Sequence, residues 1–212
     1  VNGEDRLKSV YRTMILEAGE RLDRASAKLV AANVQAYDLE EAALHLRKGL
    51  EAIAFAAIAP NQGAYAQIRA KADQAADFTK DYHAKRIFQD LARVNPDFFP
   101  LALKAPQMGS DRAWHFEQLS ADSMSRNQFE KIYDGIARLM HAPNPWAPAP
   151  DHSVLQTQMK AAVNRARNLI ERHAAFIRTP EFAGCWVIQR LSSGSLEILK
   201  AQAGGDFKVV RR

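Results

Sequence analysis

The chain has 212 residues, of which 47% are hydrophobic, 25% charged and 8% aromatic; this is the balance of a globular protein and excludes a disordered chain, a collagen or a coiled-coil rod. No run reaches the ~18 apolar residues that a membrane span needs, and no charged-then-apolar leader opens the sequence, so the expectation is a cytoplasmic protein with no membrane partner. Cys185 is the single cysteine, which rules out an intramolecular disulfide and leaves a cysteine-based zinc site short of ligands. The net charge of +5 is regional: residues 153–212 carry ten Lys and Arg against Glu171, Glu181, Glu197 and Asp206. A regional excess is either a solvated basic face or a contact for an anionic partner such as nucleic acid.

The fold expected from periodicity is mainly α, a helical bundle with a small C-terminal antiparallel β-hairpin or three-stranded sheet. From Leu7 to Leu29 the apolar residues recur at three and four, which predicts a long amphipathic helix ended near Asn33. Asp38 with Glu41 has the capping-box spacing and opens a second helix through Leu39, Leu46, Leu50, Ile53 and Ile58. Its Ala52–Ile58 stretch is apolar nearly all round, the mark of a central core helix, and Pro60 and Gly63 stop it.

Two shorter helices follow at 64–79 and 81–94, the second with Asp81 as its cap and Asn95-Pro96 as its end. Between Asp97 and Leu119 an aromatic-rich stretch with a Gly109-Ser110-Asp111 turn reads as a short hairpin or irregular insert. Ser125 and Gln128 cap a helix with Phe129, Ile132, Tyr133, Ile136 and Met140 on its stripe. Four prolines then make a stiff connector over 143–152, dividing a bundle (1–142) from a C-terminal part (153–212) that packs on it. That part begins with a helix from Ser153 whose stripe runs to Ile177. It ends in strands at Trp186–Leu191 and Leu196–Ala201, with a possible third at Phe207–Val210.

A phosphate-binding loop is absent, since Gly204-Gly205 has neither the lysine nor the strand–loop–helix context. None of the six histidines lies four residues from another, so no metal and no cofactor is expected. Two Arg/His pairings remain. Arg167 and His173 are six positions apart, so on one helix their side chains diverge by about 120° and stand about 9 Å apart along the axis; a two-fold dimer could converge them across subunits. The chemistry on offer is metal-independent RNA cleavage, in which a neutral imidazole takes the 2′-hydroxyl proton and a guanidinium holds the phosphate. Equally, His173 lies on the apolar stripe, where a core histidine with a satisfied ring is the bland reading. Arg138 and His141, three apart and about 60° from each other, can form a phosphate site or simply cap a helix end. Lys160, Arg165, Arg172 and Arg178 supply the remaining cations of a nucleic-acid surface, and Phe98, Phe99, Trp114, Phe116 and Trp146 are candidate base-stacking platforms or core.

The segments Leu39–Glu51 and Tyr133–Pro145 resemble parts of bacterial helical domains of the HEPN superfamily, a resemblance covering about residues 5–145. It implies a bundle in which a central helix bearing Arg and Glu packs on a later helix carrying an arginine, a short spacer and a histidine. It also implies frequent homodimers and, where that motif is intact, a metal-independent endoribonuclease of the toxin or phage-defence kind, with an antitoxin as a possible partner. His141 corresponds to the family histidine; where the family arginine is expected this chain has Asp134, Gly135 and Ile136. Arg167 and His173 do satisfy an Arg-x5-His spacing, on the last helix. Two functions are therefore expected: an RNA-binding protein or endoribonuclease using His141, Arg138, Arg167 and His173, or a non-catalytic helical interaction module that binds nucleic acid or a protein through its basic C-terminal third.

Overall fold

Apolar stripes decide the helices. In the computed structural model, which describes residues 3–31, 33–72, 83–110, 112, 114–142, 146, 150–179 and 182–202, α1 (Gly3–Leu29) buries Tyr11, Ile15, Ala18, Leu22, Ala25 and Leu29 on one line. Acidic Glu4 and Asp5 in its first turn and Lys28 in its last complement the helix dipole. The central helix α2 (Ala36–Ile58) starts three residues before the expected cap: Gln35 is its N-cap, and Asp38 serves as the third helical residue by accepting the Gln35 backbone N–H at 3.0 Å. The capping logic is the expected one with Asp38 in the reciprocal position. From Ala52 to Ile58 only Phe55 escapes full burial, so this segment is the core helix.

Helix α2 ends at Ile58, ahead of Pro60 as expected. Pro60 sits in a 3-10 turn (Ala59–Asn61) that leads into α3 (Gln62–Ala72), which contains Gly63. Asp81, expected as a cap, lies outside the described residues; α4 (Ala84–Val94) follows with His83 at its N-cap. Here Asn95 replaces helix hydrogen bonding with a buried side-chain network. Its amide donates to Asn61 Oδ1 (3.0 Å) and the Phe176 carbonyl (2.9 Å), and its Oδ1 accepts the Asp97 N–H (2.9 Å). The aromatic stretch that follows is partly core: Phe98 and Phe99 are 1% and 3% exposed and pack with Phe88 and Phe129, which removes them as stacking platforms. Trp114, Phe116 and Trp146 are exposed. The expected hairpin is present as β2 (Gln107–Met108) and β3 (Trp114–His115), preceded by β1 (Leu101–Ala102).

Helix α5 (Arg126–Ala137) is capped by Ser125 and Gln128 as expected and relaxes into a 3-10 turn (Arg138–Met140). Met140, assigned to its stripe, is 43% exposed because the tighter turn rotates it off the apolar face. Within the connector, residues 143–145 and 147–149 lie outside the description. Asp151, not Ser153, caps α6 (His152–Glu171).

The main correction concerns the end of α6. The helix stops at Glu171 and the chain passes directly into β4 (Arg172–Arg178), so His173 and Ile177 are strand residues. Strand β4 pairs along its whole length with β5 (Ala183–Arg190), and β5 with β6 (Leu196–Gln202), all antiparallel. Strand β1 adds to the free side of β4, giving the order β1-β4-β5-β6. Alternation then sorts β4: Ala175 and Ile177 join the bundle core with Trp186, Ile188 and Leu196, whereas Ala174 packs on the other face with Leu103 and Val187. At the β5–β6 turn Gly194 has φ +83°, a conformation that favours glycine. Phe207–Val210, the possible third strand, is outside the described residues. Helix α6 and the inner face of the sheet share one continuous core with α1, α2, α4 and α5. No described helix is long and apolar enough to cross a membrane.

Candidate functional site

The two Arg/His pairings have different fates. His173 is fully buried in β4, and its Nε2 lies 2.7 Å from the Tyr11 hydroxyl of α1, with the Trp186 ring edge-on against Tyr11. Burial pushes the imidazole down to about 4, opposed by the nearby Ile170 carbonyl. A neutral ring sharing one hydrogen bond between Nε2 and the Tyr11 hydroxyl suits this sealed setting, and burial likewise pushes the Tyr11 phenol up. Arg167 remains on α6, half-buried, and is ion-paired with Asp23 of α1. Helix and strand thus separate the two residues, one sealed and the other engaged, so they do not share a groove in this chain.

Arg138 and His141 are both exposed. Arg138 caps α5 and His141 ends the 3-10 turn, its N–H 3.4 Å from the Arg138 carbonyl. They nevertheless line different hollows. His141 lies in a depression with Tyr37, Glu40 and Glu41 of α2 and with Met140. Arg138 belongs to a larger groove of about 620 Å³ walled by α5 and its 3-10 turn on one side and α6 on the other, with Leu46 of α2 in its lining.

That groove gathers residues of α2, α5 and α6. On α5, Lys131, Gly135 and Arg138 follow at four and three, which places them on one helix face. On α6, Leu155, Met159, Ala162 and Arg165 do the same. Ile136, Leu139, Leu155 and Met159 make an aliphatic lining, and Lys131, Arg138 and Arg165 bring three positive charges to it. None of the three forms an ion pair among the described residues. The carboxylates of α5 are spoken for elsewhere, Glu130 by Arg126 at 2.8 Å and Asp134 by Lys85 at 2.8 Å. Among the described residues Gln158 is the other polar side chain in the lining, and none of them brings a carboxylate, imidazole, hydroxyl or thiol.

The remaining expected cations are dispersed. Lys160 is exposed on α6. Arg165 also borders a polar hollow with Asp122, Asn164, Arg167 and Asn168. Arg172 is half-buried at the start of β4, and Arg178 at its end is held by two hydrogen bonds to Asp97, of 2.9 and 2.6 Å. Among the described residues no group of three His, Cys, Asp or Glu side chains is placed to hold a metal ion.

Sequence reasoning missed Lys131, although its seven-residue distance from Arg138, with Gly135 between, was a usable signal of a shared face. It also missed a polar lock between α2 and α5. There Arg47 Nη2 donates to the Tyr133 hydroxyl (2.8 Å), which donates to Glu51 Oε1 (2.8 Å), while Arg47 Nε donates to the same oxygen (3.1 Å). The guanidinium stands 4.3 Å from the Tyr133 ring centroid. Burial and the Glu51 carboxylate hold the phenol above its ordinary value. This lock fixes how α5 sits on α2 and so positions one wall of the groove. Against known proteins, no family model, no curated protein and no solved structure matches this chain.

Proposed function

We propose that this chain is a non-catalytic helical interaction module and that the groove between α5 and α6 holds an anionic partner. The observation that carries the reading is the convergence of Lys131, Arg138 and Arg165, without an ion pair among the described residues, on an aliphatic lining. Such a site suits binding: its described lining has no carboxylate, imidazole, hydroxyl or thiol to serve as a general base or nucleophile. The regional charge of the C-terminal third adds long-range attraction that salt would weaken.

The test is retention of the full chain on immobilised heparin, a polyanionic probe, compared with the variant Lys131→Glu/Arg138→Glu/Arg165→Glu. Elution of the variant at clearly lower salt supports the reading; identical elution refutes it. A second reading, a HEPN-like metal-independent endoribonuclease, is favoured by one feature, the exposure of Arg138 and His141 on a single turn. Incubation with RNA in chelator decides between them. Cleavage that disappears in His141→Ala would replace binding with catalysis, and the homodimer that this reading entails is measured by light scattering of the same sample.

A further inference from the structure

Resting on the interaction-module reading, we infer that the partner seated in the α5–α6 groove is an acidic amphipathic α-helix of another protein, crossing α5 at Gly135. Three features of the groove select this occupant. First, its lining is aliphatic and contains no aromatic ring among the described residues, so these offer nothing on which a nucleobase can stack; a leucine-type stripe covers such a surface and a ribose-phosphate chain does not. Second, the charges stand on both walls, Lys131 and Arg138 on α5 and Arg165 on α6. An acyl chain has one carboxylate at one end, whereas a helix with acidic residues flanking its apolar stripe meets both walls. The chain's own segment 203–212, with Lys208, Arg211 and Arg212 against Asp206, has the wrong sign.

The third feature is Gly135 itself. Glycine inside a helix costs about 1 kcal/mol relative to alanine and usually has a packing reason. Gly19 and Gly49 have one within the chain: a Cβ at Gly19 would meet Arg190, and one at Gly49 would touch Leu22 and Arg21 of α1 at 3.4 Å, whereas one at Gly63, in the first turn of α3, would meet nothing, and Gly63 lines no groove described above. A Cβ at Gly135 would meet nothing within 4 Å. It is exposed, lies in the groove, and sits between Lys131 and Arg138 on their shared face. A missing side chain there gives an incoming helix close approach to the α5 backbone, with the two cations placed on either side to receive its carboxylates. The stretch from Leu155 to Arg165 spans about 15 Å of α6, the length of about three turns of a bound helix.

The experiment titrates the full chain against three fluorescent probes and reads anisotropy. The first is a synthetic peptide of about three to four turns with leucines at helical spacing flanked by glutamates; the second is the same composition scrambled so that no apolar face forms; the third is a single-stranded RNA. The expected result is binding of the first probe, at least about ten-fold weaker binding of the scramble, and loss of about ten-fold or more in affinity in both Arg138→Glu/Arg165→Glu and Gly135→Trp. Gly135→Trp fills the groove from a position with free space above it, and its circular dichroism and melting curve establish that it folds. Equal binding of peptide and scramble overturns the helix while leaving the anionic-partner reading intact. RNA binding that Gly135→Trp abolishes, without peptide binding, assigns the groove to nucleic acid and also overturns it. Binding by none of the probes, together with unchanged heparin retention of the charge-reversal variant, removes both readings.

Discussion

The buried His173 makes the stability of this fold depend on pH in a window set by one side chain. In the unfolded chain the imidazole titrates near 6.5, and in the folded chain burial pushes it down to about 4. Between these values the unfolded state binds the proton and the folded state does not, so falling pH favours unfolding. The neutral ring's contribution is fully present above about 6.5, is lost progressively as the pH falls, and is gone below about 4. The drop between the two values corresponds to about 3 kcal/mol in total, of which about 2 kcal/mol is lost by about pH 5. That is a sizeable part of the 5–15 kcal/mol, roughly, that separates folded from unfolded domains. The assay is urea unfolding followed by tryptophan fluorescence at about pH 7, 6 and 5, for the native chain and for His173→Gln. The glutamine keeps a polar partner for the Tyr11 hydroxyl, which stands 2.7 Å from the ring nitrogen, and removes the titration. The variant is expected to be less stable at neutral pH yet to lose about 2 kcal/mol less on acidification to about pH 5, because the carboxylate contributions are common to both proteins. Parallel pH profiles would refute the assignment of a neutral, sealed His173.

Three further outcomes follow from other contacts. Gly135→Ala is expected to raise stability by about 1 kcal/mol, read as a higher melting temperature, since the added methyl meets nothing and relieves a helix-interior glycine. Tyr133→Phe removes the hydroxyl that bridges Arg47 and Glu51 of α2 to α5 and is expected to cost about 1–3 kcal/mol in a urea titration; a change within error would mean that apolar packing, and not this polar bridge, holds α5 on α2. Gly184→Ala would place a Cβ 2.2 Å from the Ala201 carbonyl oxygen. It should therefore disrupt the β5–β6 pairing and expose the sheet to proteolysis, and a normal melting curve would count against the strand register described above.

Where side chains within one element carry the information, the sequence was sufficient. The stripe of α1, the all-round apolar Ala52–Ile58 and the Ser125/Gln128 cap each depend on residues a few positions apart, and each stands where periodicity and capping place it. The boundary between α6 and β4 was not legible, because the cluster His173, Ala174, Ala175 and Ile177 suits a helix stripe as well as a strand covered on both faces. What decides it is hydrogen bonding to partners elsewhere in the chain: β5, seven residue pairs long, and β1 from the middle of the chain. With that boundary moved, a spacing of six between Arg167 and His173 ceased to describe two positions on one helix.

The candidate site divides in the same way. Arg138 and Arg165 were visible as cations, one beside His141 and the other in the basic C-terminal third, but their meeting in one groove was not. Sequence spacing indicates which residues share a helix face, so Lys131 on α5 and Arg138 at its C-cap are placed on one side. Which face of α6 lies opposite α5 depends on how both helices pack against α2 and on the contacts that seat them, among them the Arg47–Glu51–Tyr133 lock. The amino-acid order alone thus determined the stripes of α1 and α2, the Ser125/Gln128 cap and the sign of the charge. Packing between elements distant in the chain decided which histidine is sealed in the core and which cations face a common groove, because burial and convergence belong to the arrangement of elements and not to any one of them.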